Sequence, residues 1–125
     1  QLHAAFVTGL DGAAMLSAGR IRYLAVGTPQ RSAVVPGLPA IAEEIPGFRS
    51  VAWFGLLAPR GIPDDIAARL NAAVRAAVER PDYQKLMTER NVDPRSGTPD
   101  ELDRRIRDEM AQWGAVIRKS GITAD

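Results

Sequence analysis

Hydrophobic and polar positions along the chain follow two different periods, and the change falls near Pro63. Before it, short apolar runs of strand length alternate with glycine- and proline-rich breaks; after it, apolar residues recur every three or four positions. Leu2-His3-Ala4-Ala5-Phe6-Val7 predicts a buried strand that ends at Thr8-Gly9 in a tight strand-to-helix turn. A helix from about Asp11 to Ala18, closed by Gly19, and a second strand from Ile21 to Gly27 complete a strand-helix-strand unit, right-handed in a parallel sheet. The proline-rich segment from Thr28 to Pro39 reads as an extended connection, because each proline biases its predecessor away from helix. A short helix from Ala40 to Ile45 is cut by Pro46-Gly47, and Phe48 to Leu57 returns as a strand.

Beyond Pro63 three helices are predicted. Pro63 suits a first helical position and Asp64-Asp65 the positive helix start, while Ile66, Leu70, Val74, Ala77 and Val78 form one apolar face through about Glu79. Pro81 opens a second helix, with Tyr83, Leu86 and Met87 inward, ending near Asn91. Thr98-Pro99-Asp100-Glu101 matches a capping box, after which Leu102, Ile106, Met110, Trp113 and Ile117 mark a long helix stopped by Gly121. Its other face carries Glu101/Arg105, Arg104/Asp108 and Arg105/Glu109 at four-residue separation, a solvated face. The stretch Ser50 to Pro63 is therefore a seam between a strand-and-loop region and a helical one.

Composition narrows the functions without choosing one. At 125 residues, 46% hydrophobic and 25% charged, the chain has the profile of a single globular domain. A formal net charge of +1 gives no strong electrostatic pull toward nucleic acid or an anionic membrane. The absence of cysteine excludes disulfides, thiolate metal sites and a cysteine nucleophile. No apolar run approaches the roughly 18 residues that span a bilayer. Gln1 stands inside a predicted strand, without a methionine, so the sequence is expected to be a portion of something longer, leaving room for an export signal upstream.

Candidate chemistry is sparse. His3 has no carboxylate or serine near it in sequence and reads as structural. Glu43-Glu44 and Asp64-Asp65 are adjacent pairs that diverge on a helix, as capping or solvated groups do. Arg104, Arg105, Arg107, Arg118 and Lys119 are interleaved with acids, a solvated helix rather than a nucleic-acid face. Trp53 and Phe54 read first as packing between a strand and a helix, and second as the wall of a ligand cleft. Thr8-Gly9 has two readings of equal weight. It is a tight turn needing glycine for its own sake, or a strand-end loop whose free N–H groups at a helix start hold an anion.

Taken together, several motifs resemble one family. They are Gly19-Arg20-Ile21-Arg22-Tyr23-Leu24-Ala25-Val26, Gln30-Arg31-Ser32, Val35-Pro36-Gly37-Leu38-Pro39-Ala40-Ile41-Ala42-Glu43, Pro46-Gly47-Phe48, Trp53-Phe54-Gly55-Leu56-Leu57-Ala58-Pro59, Leu70-Asn71 and Gly121-Ile122. From about Leu2 to its end the chain resembles the carboxyl-terminal part of the Bug/TctC family, the extracytoplasmic solute receptors of the tripartite tricarboxylate transporters. The resemblance implies an α/β, partial periplasmic-binding-protein-like fold: a short strand-helix-strand region, a crossing strand and three C-terminal helices. Residues 1–49 then end the second, ligand-holding lobe, 50–62 are the crossing strand and hinge, and 63–125 are a helical contribution to the first lobe. The sheet and glycine-rich ligand loop of the first lobe have no counterpart here.

Two functions follow from the resemblance. The first is a periplasmic receptor, not an enzyme and without cofactor or metal, that closes on a small organic carboxylate. Thr8, Gly9 and Leu10 touch the ligand, Trp53 and Phe54 wall the cleft, and the ligand passes to the membrane components of the transporter. The alternative is a truncated remnant without ligand binding, folding only as a homo-oligomer, because apolar strands that lose their neighbours expose their edges. Neither involves nucleic acid. An enzymatic reading finds no GxGxxG, no nucleophile with a base and no metal set.

Overall fold

The computed structural model describes residues 3–123. Among them the regular elements are four α-helices: α1 (Gly9–Ser17), α2 (Asp64–Val78), α3 (Pro81–Thr88) and α4 (Pro99–Ser120), with a 3₁₀ turn at Ile41–Glu43. Short-range chemistry sets their ends. Thr8 caps α1 in an extended conformation, its hydroxyl accepting the Asp11 N–H at 3.2 Å. This brings Gly9 and Leu10 into the first turn and starts the helix two residues before the predicted Asp11. α4 begins with the capping box expected of Thr98 and Glu101: the Glu101 N–H donates to the Thr98 hydroxyl (3.2 Å), and Oε2 of Glu101 accepts the Thr98 N–H (2.7 Å).

Three helices stop the same way. Gly19, Asn91 and Gly121 take left-handed φ values of 66°, 58° and 65°. Each following N–H reaches back to a helical carbonyl: Arg20 to Met15 (2.9 Å), Val92 to Met87 (3.0 Å) and Ile122 to Ile117 (3.2 Å). These are Schellman closures, which satisfy carbonyls the helix end would otherwise leave unpaired. On α4, Arg105 pairs with Glu109 at 3.2 Å as the four-residue spacing suggests, and Arg107 pairs with Asp103 at 2.7 Å.

The strand description is corrected. Among the described residues none of the three predicted strands forms a ladder; Leu2 lies outside them. What remains is one parallel bridge between Val26 and Ala40. There the Val26 N–H donates to Pro39 (2.9 Å) and the Ile41 N–H donates to Val26 (3.0 Å). A strand exists only where a neighbour accepts its backbone groups over several residues. Among the described residues 4–7, 21–25 and 48–57 carry no ladder, and the Ser50 N–H bond to Gly27 O (2.9 Å) is a single contact rather than a strand pairing. The helix expected over Ala40 to Ile45 also shrinks to the 3₁₀ turn, because Pro46 cannot donate and disfavours helical geometry at Ile45.

The chain divides into two compact units. The first runs to Phe54 and takes in Ala77–Arg95, hence α1, the 3₁₀ turn and α3. Its contacts include stacked rings of Phe6 and Phe48, 6.3 Å apart at 18°. The Gln84 amide donates to Val78 O (2.7 Å) and Pro94 O (3.3 Å), tying α3 to the segments on either side. The second unit combines Gly55–Ala76 with the chain from Ser96 onward. In it the Asn71 side chain of α2 donates to Gly97 O at 2.9 Å, just ahead of the α4 cap.

The apolar stripes are present, but on α3, where Tyr83, Leu86 and Met87 were expected inward, only Met87 of the three is half-buried. No described residue of α2, α3 or α4 is buried. Leu70 is 42% exposed and Met110 71%. Tyr83 and Leu86, expected to face inward on α3, are also more than a third exposed. Among the described residues Ala40, at 1%, is the one buried hydrophobic side chain, and Gly12 is buried at the middle of α1. Periodicity reports which face a helix offers for burial; it does not supply the surface that covers it.

The start of α3 carries a pH signature. Arg80 holds Asp82 through Nε to Oδ1 (3.0 Å) and Nη2 to Oδ2 (2.7 Å), and Oδ1 also accepts the Tyr83 N–H at 3.0 Å. The hydrogen bonds from Arg80 come first in lowering the Asp82 carboxyl from 3.8 to about 2. A lowered carboxyl adds stability that is complete above its unfolded value and is lost as pH falls through the folded one. A carboxyl-carbon NMR titration is therefore expected to place Asp82 near 2, and Arg80→Ala to return it toward the ordinary aspartate range.

Candidate functional site

Thr8, Gly9 and Leu10 come together because they are consecutive at the start of α1. The Thr8 hydroxyl is committed within its own turn: besides accepting the Asp11 N–H, it donates to Asp11 Oδ2 at 2.6 Å. The Gly12 N–H returns to Thr8 O at 3.0 Å. The N–H groups of Gly9 and Leu10 belong to the first helical turn, where no intrahelical acceptor exists. The positive end of the helix thus offers backbone donors, with the Asp11 carboxylate beside them as a fixed negative charge. An anion arriving here would meet the donors of Gly9 and Leu10 and be repelled by Asp11.

Two contacts hold this start in place. Tyr23 donates its hydroxyl to Gly9 O at 3.4 Å. Its ring lies over Gly12, where an added Cβ would come within 2.5 Å of the hydroxyl and 3.1 Å of a Val7 methyl. On the other side Gly9 sits against the backbone of Asn91, and a Cβ at Gly9 would overlap the Asn91 carbonyl oxygen. The glycines of this helix start are therefore places of close approach.

Trp53 and Phe54 stand apart from α1 in sequence, in the irregular stretch that follows Ser50. The Ser50 N–H donates to Gly27 O at 2.9 Å and fixes the beginning of that stretch. Trp53 is half-buried, whereas Phe54 is 86% exposed and fills no core. Asp11, Tyr23 and Asn91 were not among the residues expected at the site. Thr8-x-x-Asp11 is a readable cap-like spacing. The contacts of Tyr23 and Asn91 with α1 carry no local signal. Among the described residues no cluster of His, Asp or Glu could hold a metal ion, and no helix is long and apolar enough to cross a membrane.

Residues 2–122 match the family profile of the tripartite tricarboxylate transporter family receptor, TctC. The chain belongs to this family. The resemblance read from its motifs is thereby borne out. The TctC-family chain is 31% identical over 110 residues to the UPF0065 protein in the tcbD-tcbE intergenic region of Pseudomonas sp. strain P51, covering 86% of this chain and 33% of that protein. It is 30% identical over 107 residues to Protein BugT of Bordetella pertussis strain Tohama I, covering 85% and 33%. The chain thus spans about a third of the length of these relatives. Among solved structures it is similar to R. palustris Rpa4515 with adipate, at a TM-score of 0.75 and 35% identity, covering 90% of this chain and 38% of that one. The fold is that of part of a periplasmic-binding-protein-like molecule.

The two glycines make the packing of the α1 start testable. At Gly12, alanine gains about 1 kcal/mol in helix propensity, and the obstacle is a side chain that is able to swing aside. At Gly9 the obstacle is backbone, and overpacking of that kind costs about 1–3 kcal/mol. Urea unfolding is expected to show Gly9→Ala clearly more destabilised than Gly12→Ala; the reverse order would contradict the close approach of Gly9 to Asn91.

Proposed function

We propose that this TctC-family chain is the carboxyl-terminal part of a periplasmic solute receptor. The intact receptor captures a small organic carboxylate and delivers it to the membrane components of a tripartite tricarboxylate transporter. Family membership across residues 2–122 carries this reading. The likeness to Rpa4515, whose structure is with adipate, favours a dicarboxylate as the ligand. Residues 1–49 end the ligand lobe, 50–62 form the crossing segment and hinge, and 63–125 contribute helices to the other lobe. Capture works by closure of lobes around a ligand, with no bond made or broken. Gly9 and Leu10 donate backbone N–H groups to one ligand carboxylate. Thr8 shapes that turn through its bond to Asp11, and Trp53 and Phe54 wall the apolar part of the ligand.

Calorimetry on the full-length receptor carrying this sequence, titrated with adipate and with shorter and longer mono-, di- and tricarboxylates, is expected to show saturable one-site binding. Thr8→Ala, which removes the cap, is expected to weaken it by about 1 kcal/mol, fivefold or so. Absence of binding to every organic acid would overturn the receptor reading.

One observation favours a second reading for the chain by itself. The stripes of α2 and α4 are open, with Leu70, Met110 and Trp113 all more than a third exposed, and a second copy would cover them. Sedimentation is expected to show a self-associated species at micromolar concentration. A well-folded monomer would remove this reading and leave the first untouched.

A further inference from the structure

The connection from Thr28 to Pro39 contains neither helix nor strand, yet both its ends are pinned. At its foot, Val26 and Ala40 form the parallel bridge, and Ala40 is seated there almost without exposure. Gly27 O accepts the Ser50 N–H at 2.9 Å, so the same foot also anchors the chain where it enters the stretch toward Pro63. Within the connection, Thr28 donates its hydroxyl to Gln30 O at 2.6 Å, shaping the turn that leads into Arg31. Arg31 then lays its guanidinium fork on Glu43, Nε to Oε1 at 2.9 Å and Nη2 to Oε2 at 2.7 Å. Oε1 of Glu43 also accepts the Ala40 N–H at 2.7 Å. A single carboxylate therefore joins the middle of the connection to the backbone of the residue seated in the bridge.

We infer that the Arg31–Glu43 pair is a clasp that positions the Val26–Ala40 bridge and, through Gly27, the entry of the chain into the stretch beginning at Ser50. Exposed ion pairs are ordinarily worth little, because solvent screens them and two long side chains must be held still. Three features set this one apart. The pairing is bidentate, which fixes both distance and plane. The carboxylate is held by the Ala40 N–H as well as by Arg31, so part of its ordering cost is already met. The pair also divides a long loop into shorter ones, lowering the entropy cost of keeping the bridge closed. In keeping with this geometry, the hydrogen bonds from Arg31 come first in holding the Glu43 carboxyl below its usual range. None of these contacts involves Thr8, Gly9, Leu10, Trp53 or Phe54, so the inference does not rest on ligand capture.

Amide hydrogen exchange by NMR on the full chain reads the clasp directly, because the N–H groups of Val26, Ile41 and Ser50 are the donors at the bridge and at the entry. Arg31→Lys keeps the charge and loses the fork; Glu43→Gln keeps the shape and loses the charge. Both are expected to speed exchange at these three amides by about tenfold, while amides inside α4, such as Ile106 and Met110, keep their rates. Unchanged rates at Val26, Ile41 and Ser50 would overturn the inference. So would equal acceleration in α4, which would mean that the pair merely adds to global stability.

Discussion

An apolar stripe on a helix stabilises a fold only when water is removed from it. The helices α2, α3 and α4 of this TctC-family chain each carry such a stripe, and no described residue of any of them is fully buried. Order is held instead by short-range devices: side-chain caps at Thr8 and Thr98, left-handed closures at Gly19, Asn91 and Gly121, and the pairing around Ala40. Each joins residues close in sequence or closes one loop. None removes much hydrocarbon from water, and Ala40 and Gly12 are too small to make a core of the usual kind.

The same division explains what was legible beforehand. The α4 cap, its Gly121 stop and the course of α2 followed from residues within a turn of one another, where cause and effect share a short window. The 3.6-residue period located the stripes correctly. The strands were misjudged because an apolar run such as Ile21 to Gly27 states only that a segment would tolerate pairing. Whether a partner backbone lies beside it is a long-range fact, and here the partners come only at its end, Ala40 beside Val26 and the Ser50 N–H on Gly27 O. Burial was misjudged for the same reason at Tyr83 and Leu86.

The start of α1 shows a mixed legibility. Thr8 and Gly9 were recognisable as a turn into a helix because a threonine and a glycine between a strand-like run and a helix constrain the backbone by themselves. Asp11 alters the electrostatics of that turn and was readable only through its spacing from Thr8. Tyr23 and Asn91 reach α1 from 14 and more than 80 positions away, as the Tyr23 bond to Gly9 and the Asn91 backbone beside Gly9 show. Such contacts leave no mark on the pattern around Gly9 itself.

The closures at the helix ends bear on how anything would associate with this chain. α4 starts at Thr98 and stops at Gly121 for reasons contained in its own terminal turns, so its length does not depend on being covered. A surface arriving on its open stripe meets a rod already of final length rather than a segment that must fold on contact. Association of that kind avoids most of the ordering cost of coupled folding. Its speed is then governed by orientation and diffusion, in the ordinary range for preformed protein surfaces.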